Sequence, residues 1–210
     1  MKKLSQYGGN VVEYFCCDKL DDSILTDLLE ERKSKSLYDM DGLVISDYSQ
    51  VYDISIECPK HTFLSVPCQL KLCGFKIKFI DKKWSGMYPL LPTRVIDCAT
   101  RFTEKMYVGM DILQCLSFQY RKQLKIGRGG MVITDDEEAV RWLKMARING
   151  RHEGVSQADE QLEFCGWNMY MQPCDAARGL SLMESIPRAN PDCGSDKTYP
   201  NISNQKVFED

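Results

Sequence analysis

Arg94-Val-Ile-Asp97-Cys-Ala-Thr100, Ser117-Phe-Gln-Tyr-Arg-Lys122 and Gly127-Arg-Gly-Gly130 are the three stretches on which the reading of the fold turns. In the first, an apolar strand ends in a carboxylate. In the second, a strand beginning at Leu113 runs into a lysine five residues after a serine. The third is a glycine turn directly ahead of a new strand, Met131–Thr134. Open α/β sheets bind ligands outside the carboxyl ends of their strands. Asp97 and Lys122 are therefore expected to face one crevice.

Outward from this centre, further strand-like segments lie at Leu43–Ile45, Val51–Ile56 and Phe75–Ile80. Helical patterns lie near 62–73, 137–148 and 175–185, with an earlier helix capped by Asp21 and Asp22 and striped by Ile24, Leu25, Leu28 and Leu29. The helix over 137–148 has Asp135 and Asp136 at its start, Arg147 in its last turn and Asn149-Gly150 just beyond. Pro173 precedes the helix over 175–185, and Asp175 is its expected cap. Strands alternating with helices predict an α/β layer structure with a largely parallel sheet. Residues 1–186 read as one domain. Over 187–210 Pro, Asn, Asp, Gly and Ser dominate, which predicts an irregular C-terminal extension.

Composition bounds the function. The 210 residues carry 27 Lys and Arg against 30 Asp and Glu, so no basic footprint for a nucleic-acid backbone exists and direct nucleic-acid binding is not expected. Apolar runs are too short to cross a bilayer, and the basic N-terminus has no apolar segment behind it; a cytoplasmic protein away from membranes is expected. Ten cysteines are scattered with no Cys-x-x-Cys pair, and the two histidines have no ligand neighbours at zinc spacing. The expectation is reduced thiols, mostly buried, and no metal.

A carboxylate and a lysine at adjacent strand ends suit pyridoxal phosphate. The lysine amine forms a Schiff base with the aldehyde, and burial beside positive charge makes an amine more reactive. The carboxylate pairs with the pyridine nitrogen, keeps it protonated and lets the ring accept electrons. A serine hydroxyl such as that of Ser117 donates to the phosphate, and an aromatic side chain covers the ring.

Short blocks in fixed order resemble the DegT/DnrJ/EryC1/StrS sugar aminotransferases, over roughly residues 56–186. Pro59-Lys-His-Thr62-Phe63 resembles the segment whose aromatic stacks on the cofactor, and Gly74–Asp81 the strand that follows it. Val95-Ile-Asp97-Cys-Ala99 matches the strand with the ring-nitrogen aspartate. Ser117-Phe118, three residues and Lys122 match the Schiff-base segment, and Gly127–Gly130 the turn after it. Arg147–Arg151 resembles the family's Arg-x-x-Gly-Arg element. Gly166-Trp-Asn168-Met-Tyr170 resembles the segment whose asparagine reaches the phosphate of the other subunit. The resemblance implies a three-layer α/β sandwich with a mostly parallel sheet, a reduced version of the fold-type I pyridoxal phosphate transferase large domain. It also implies a homodimer with shared sites and amino transfer from glutamate or glutamine to a keto acceptor, a sugar, nucleotide sugar or nucleotide. Lys122 is then the catalytic residue; Asp97, Ser117, Phe63, Thr100 and Asn168 bind cofactor with it.

Several family features have no counterpart. No Gly-Thr or Gly-Ser phosphate cradle precedes Phe63, and no C-terminal small domain follows. Thr100 stands for a glutamine or histidine, Arg128 for an acid and Tyr170 for an arginine. Only 15 residues separate Asp81 from Asp97, barely more than the ten to twelve or so that a parallel crossover needs. Two other readings therefore stay open: a non-catalytic dimeric binding or regulatory relative, and a subunit completed by a partner chain. Each residue also has a plain structural alternative. Lys122 lies in a basic run, Asp97 can cap a helix, Phe63 can be core, and Gly129 and Gly130 can serve backbone geometry alone.

Overall fold

The computed structural model describes residues 54–209 and the backbone of 11–15. The expected segments at 21–29 and Leu43–Ile45 lie outside these residues. In chain order the elements are β1 (Val11–Phe15), β2 (Ser55–Pro59), α1 (Ser65–Leu72), β3 (Lys76–Ile80), β4 (Tyr88–Pro89), β5 (Val95–Asp97), β6 (Leu113–Ser117), β7 (Gly130–Thr134), α2 (Glu137–Ala146) and α3 (Pro173–Ser185). A short 3-10 turn, Lys206–Phe208, comes last.

The main sheet has the order β1-β7-β6-β5-β4, and β2 pairs with β3 in a separate two-stranded ladder. The α/β class is as expected, and parallel strands are present in β5–β6 and β2–β3. Within that class the pairing is mixed, because β4–β5, β6–β7 and β1–β7 are antiparallel. The short link between Asp81 and Asp97 explains part of the difference. It forms no helix and instead supplies the two-residue strand β4, which folds back on β5 through a turn closed by Leu90 N to Val95 O at 3.0 Å and Thr93 N to Leu90 O at 2.9 Å.

Strand alternation divides the core between the two faces of the sheet. Leu113 and Cys115 of β6 and Val132 of β7 join Trp142, Leu143 and Ala146 of α2 in one cluster, which continues to Val66 and Leu70 of α1. Leu116, Met131 and Ile133 point the other way, onto Phe118, Leu124, Ile126 and Met183 of α3. Helices on both faces of a sheet make three layers.

Helix α2 begins and ends as its sequence predicts. The Asp136 carboxylate accepts from Ala139 N at 3.0 Å, and the chain leaves through Asn149 (φ 66°) and Gly150 (φ 80°). Helix α3 starts earlier than expected, with Pro173 as its first residue and Asp175 in its first turn, not at the cap. Proline loses nothing there, since the first amides of a helix have no internal partner. Of the eight cysteines described, only Cys58, Cys98 and Cys115 are buried. Cys165, Cys174 and Cys193 are exposed because they lie on loops and the outer turn of α3. No helix among the described residues is long and apolar enough to cross a membrane.

Beyond α3 the chain returns across the domain with only isolated bridges and the closing 3-10 turn. Asn190 donates to Phe102 O at 2.9 Å, Cys193 N to Thr100 O at 2.9 Å, Asp196 N to Trp84 O at 3.1 Å and Ile202 N to Lys60 O at 2.9 Å. This returning segment forms one side of the site described next.

Candidate active site

β5 and β6 run parallel, with Asp97 opposite Cys115. Their carboxyl ends therefore open on the same side, and Asp97 and Ser117 each close a strand there. A cavity of about 610 Å³ lies against this edge. Asp97, Ser117, Lys122, Thr100 and Phe63 all line it, so five of the six residues selected from the sequence meet in one place. Asn168 is not among the lining residues. It is exposed and bridges to Ile148 beside the end of α2.

Lys122 is delivered by a closed loop. Phe118 N bonds Gly129 O at 2.7 Å and Gly127 N bonds Phe118 O at 2.9 Å, so both ends of the loop are pinned. Leu124 and Ile126 plug it into the core. Gly127 (φ 128°) and Gly129 (φ 87°) take backbone conformations closed to most other residues, which is the structural role the glycine turn serves. Lys122 N bonds Gln119 O at 2.9 Å, and Gln123 Nε2 ties the loop to Thr100 O (3.0 Å) and Pro191 O (2.8 Å).

Asp97 faces the cavity with both oxygens partly engaged. Oδ1 accepts from Ala99 N at 2.7 Å and Oδ2 accepts the Tyr88 hydroxyl at 2.5 Å. Burial pushes its carboxyl above the usual carboxylate range, against the Tyr88 and Ala99 hydrogen bonds and the charge of Lys122. Tyr88, fully enclosed, is held well above the usual phenol range by burial first and by the Asp97 charge second. Thr62, also buried, meets the same hydroxyl at 2.5 Å.

Aromatic rings close the opposite side. Trp84 stacks on Tyr199 with centroids 5.8 Å apart and planes at 21°, and Phe63 meets Tyr199 edge-on at 6.3 Å. Phe63 is 53% exposed, whereas Trp84 is buried and donates Nε1 to His61 O at 2.9 Å. Tyr199 is pushed up to about 12 by burial, then by the Asp97 and Cys193 charges. His61 turns away from chemistry, with Nδ1 3.0 Å from Tyr199 O. Thr100 is buried, and its hydroxyl donates to Gly86 O at 3.1 Å and Gly194 O at 3.3 Å, so it anchors the returning segment at the cavity wall.

Tyr88, Tyr199 and Cys193 were not visible as site residues in the sequence. Tyr88 stands in a two-residue strand with no alternation to mark it. Tyr199 and Cys193 arrive from a segment whose composition signals only loop.

The sheet, the cavity at its carboxyl edge and the lysine loop define a fold-type I pyridoxal phosphate transferase architecture. Solved structures share it. Sugar aminotransferase CalS13 from Micromonospora echinospora superposes with a TM-score of 0.64 at 15% identity, covering 87% of this chain and 58% of that one. A putative PLP-dependent aminotransferase from Bacillus cereus gives 0.60 at 18%, covering 88% and 56%. PseC from Helicobacter pylori, an aminotransferase of pseudoaminic acid biosynthesis, gives 0.61 at 16%, covering 89% and 56%. The chain thus spans less than three-fifths of the length of these neighbours, and at such identities the likeness is one of fold. The model of the DegT/DnrJ/EryC1/StrS aminotransferase family matches residues 97–192. That match covers a little under half of the chain. No curated protein matches it.

Proposed function

We propose that the chain is a pyridoxal phosphate-dependent aminotransferase, moving an amino group from glutamate or glutamine to a keto group on a sugar, nucleotide sugar or nucleotide. The observation that carries this reading is the meeting of Asp97, Ser117 and Lys122 at one cavity edge on neighbouring parallel strand ends.

The donor set fits the cofactor. A carboxylate has about four acceptor sites, and the two described bonds leave Asp97 with capacity toward the cavity for a protonated ring nitrogen. Ser117 Oγ, on the next strand end, is a hydroxyl donor for a phosphate. Lys122 Nζ is the amine for the aldehyde carbon, and Phe63 with Tyr199 supplies apolar ring faces. When bound, the cofactor supplies an electron sink for the substrate carbanion.

The chain's own residues then divide the work. Asp97 holds a proton at the ring nitrogen, which a desolvated carboxylate does more strongly than an exposed one. Lys122, pinned by its loop at both ends, moves the proton at the substrate α-carbon. Trp84 and Tyr199 exclude water from one side of the cavity. Thr100 holds the wall in place through two carbonyls, and on this reading its part in cofactor binding is support of that wall.

The same reading takes the working form to be a homodimer in the cytoplasm. Asn168, exposed and off the cavity, reaches a phosphate only in the neighbouring copy. Residues 187–210 act as an extension of the 1–186 domain. The test is an absorbance titration of purified protein with pyridoxal phosphate, then with glutamate or glutamine. A visible band that Lys122→Ala lacks, bleached by the amino donor, supports the reading. No band in either protein refutes it.

A further inference from the structure

Asp97 is one end of a buried chain of hydroxyls. The Tyr88 phenol donates to Asp97 Oδ2 at 2.5 Å, and Thr62 Oγ1 lies 2.5 Å from the same phenol oxygen. Tyr88 has a single proton, already given to the carboxylate, so Thr62 must be the donor in the second bond. Both residues are 2% exposed, and neither hydroxyl is offered to solvent. The Tyr88 ring is fixed by Trp84, 4.8 Å away and tilted by 57°. We infer that Tyr88, aligned by Thr62, is the positioning residue for Asp97, fixing one carboxylate oxygen so that the remaining lone pairs face the cavity.

A hydrogen bond donated to a carboxylate favours its ionised form, and burial disfavours it. The groups facing this carboxylate are few. Lys122 approaches from the loop after β6, Tyr199 and Cys193 from the returning segment, and Cys98 follows in the chain, while Cys58 of β2 faces Tyr88. Among the cations that line the cavity, Lys122, Arg121 and Arg128, Lys122 is the one whose charge acts on Asp97, and Tyr88 is the principal side chain that donates to it. The consequence for cofactor rests on the aminotransferase reading above; the Tyr88–Asp97 link itself does not.

The test separates the two. In cofactor-free protein, carboxyl-carbon NMR should show Asp97 titrating at higher pH in Tyr88→Phe than in wild type. Thr62→Val should move it the same way by less, and Thr62→Ser should leave it in place. The threonine variants keep the tyrosine ring and so report on the link if Tyr88→Phe folds poorly. With pyridoxal phosphate added, the dissociation constant of Tyr88→Phe should rise about tenfold near pH 6 and stay within about twofold near pH 9. An unmoved Asp97 midpoint overturns the inference, as does an affinity ratio that is constant across pH. A moved midpoint with cofactor affinity indifferent to pH in both proteins upholds the link and refutes instead the reading of Asp97 as partner of the ring nitrogen.

Discussion

Arg101 holds the Asp192 carboxylate with two nitrogens, Nε to Oδ1 at 2.9 Å and Nη2 to Oδ2 at 2.8 Å, while Ser85 donates to Oδ2 at 3.0 Å. This fork ties the segment beyond α3 to the loop that follows Asp97, and both partners are largely shielded. The Arg101 hydrogen bond holds the Asp192 carboxyl below the usual range. A lowered carboxyl contributes stability that is complete above its unfolded value, near pH 4, and is lost as pH falls through the lower folded value. Asp192→Asn should therefore cost about 1–2 kcal/mol in urea unfolding at neutral pH, and the gap from wild type should close in acid. Thr100→Val removes the hydroxyl that donates to the Gly86 carbonyl, while the Gly194 carbonyl keeps its bond from Gly86 N. It should cost about 1–2 kcal/mol and weaken cofactor binding while keeping a Lys122-dependent band.

At the scale of elements, the strongest local constraint lies after α2. A Cβ on Gly150 would collide with the Phe164 carbonyl oxygen, and φ there is +80°. Gly150→Ala should lower stability by about 2 kcal/mol or more, read by thermal melting, whereas an alanine at Gly109, which has nothing within 4 Å, should cost less. Helix α2 was legible because its signals are local: Asp136 at the cap, an apolar stripe and Asn149-Gly150 at the end. Strands β5, β6 and β7 were legible as apolar runs bounded by turn residues. β4 was not, since two residues carry no periodicity and form a strand only because β5 is there to receive them. The direction of pairing was equally hidden, because an apolar run such as Leu113–Ser117, buried throughout, suits parallel and antiparallel neighbours alike.

For the molecule as a whole, the site is a joint product of the sheet edge and the returning C-terminal segment. Asp97, Ser117 and Lys122 could be read from sequence because short motifs place them at the ends of consecutive parallel strands. Of the opposite wall, Trp84 could be suspected as a loop tryptophan suited to a pocket, but Cys193 and Tyr199 could not, for they reach it through long-range contacts with no motif. Truncation after Arg188 removes Asp192, Cys193 and Tyr199 together and opens the cavity on that side. The truncated chain should lose cofactor affinity by about tenfold or more and melt earlier, while its sheet signal in circular dichroism persists. The central claim is that Lys122 is the amine at this cavity. It is tested most directly by borohydride reduction of the protein with pyridoxal phosphate, followed by peptide mass spectrometry. The predicted result is one stoichiometric adduct on Lys122, absent from Lys122→Ala; an adduct spread over Lys125, Lys60 and other surface lysines, unchanged in that variant, would contradict it.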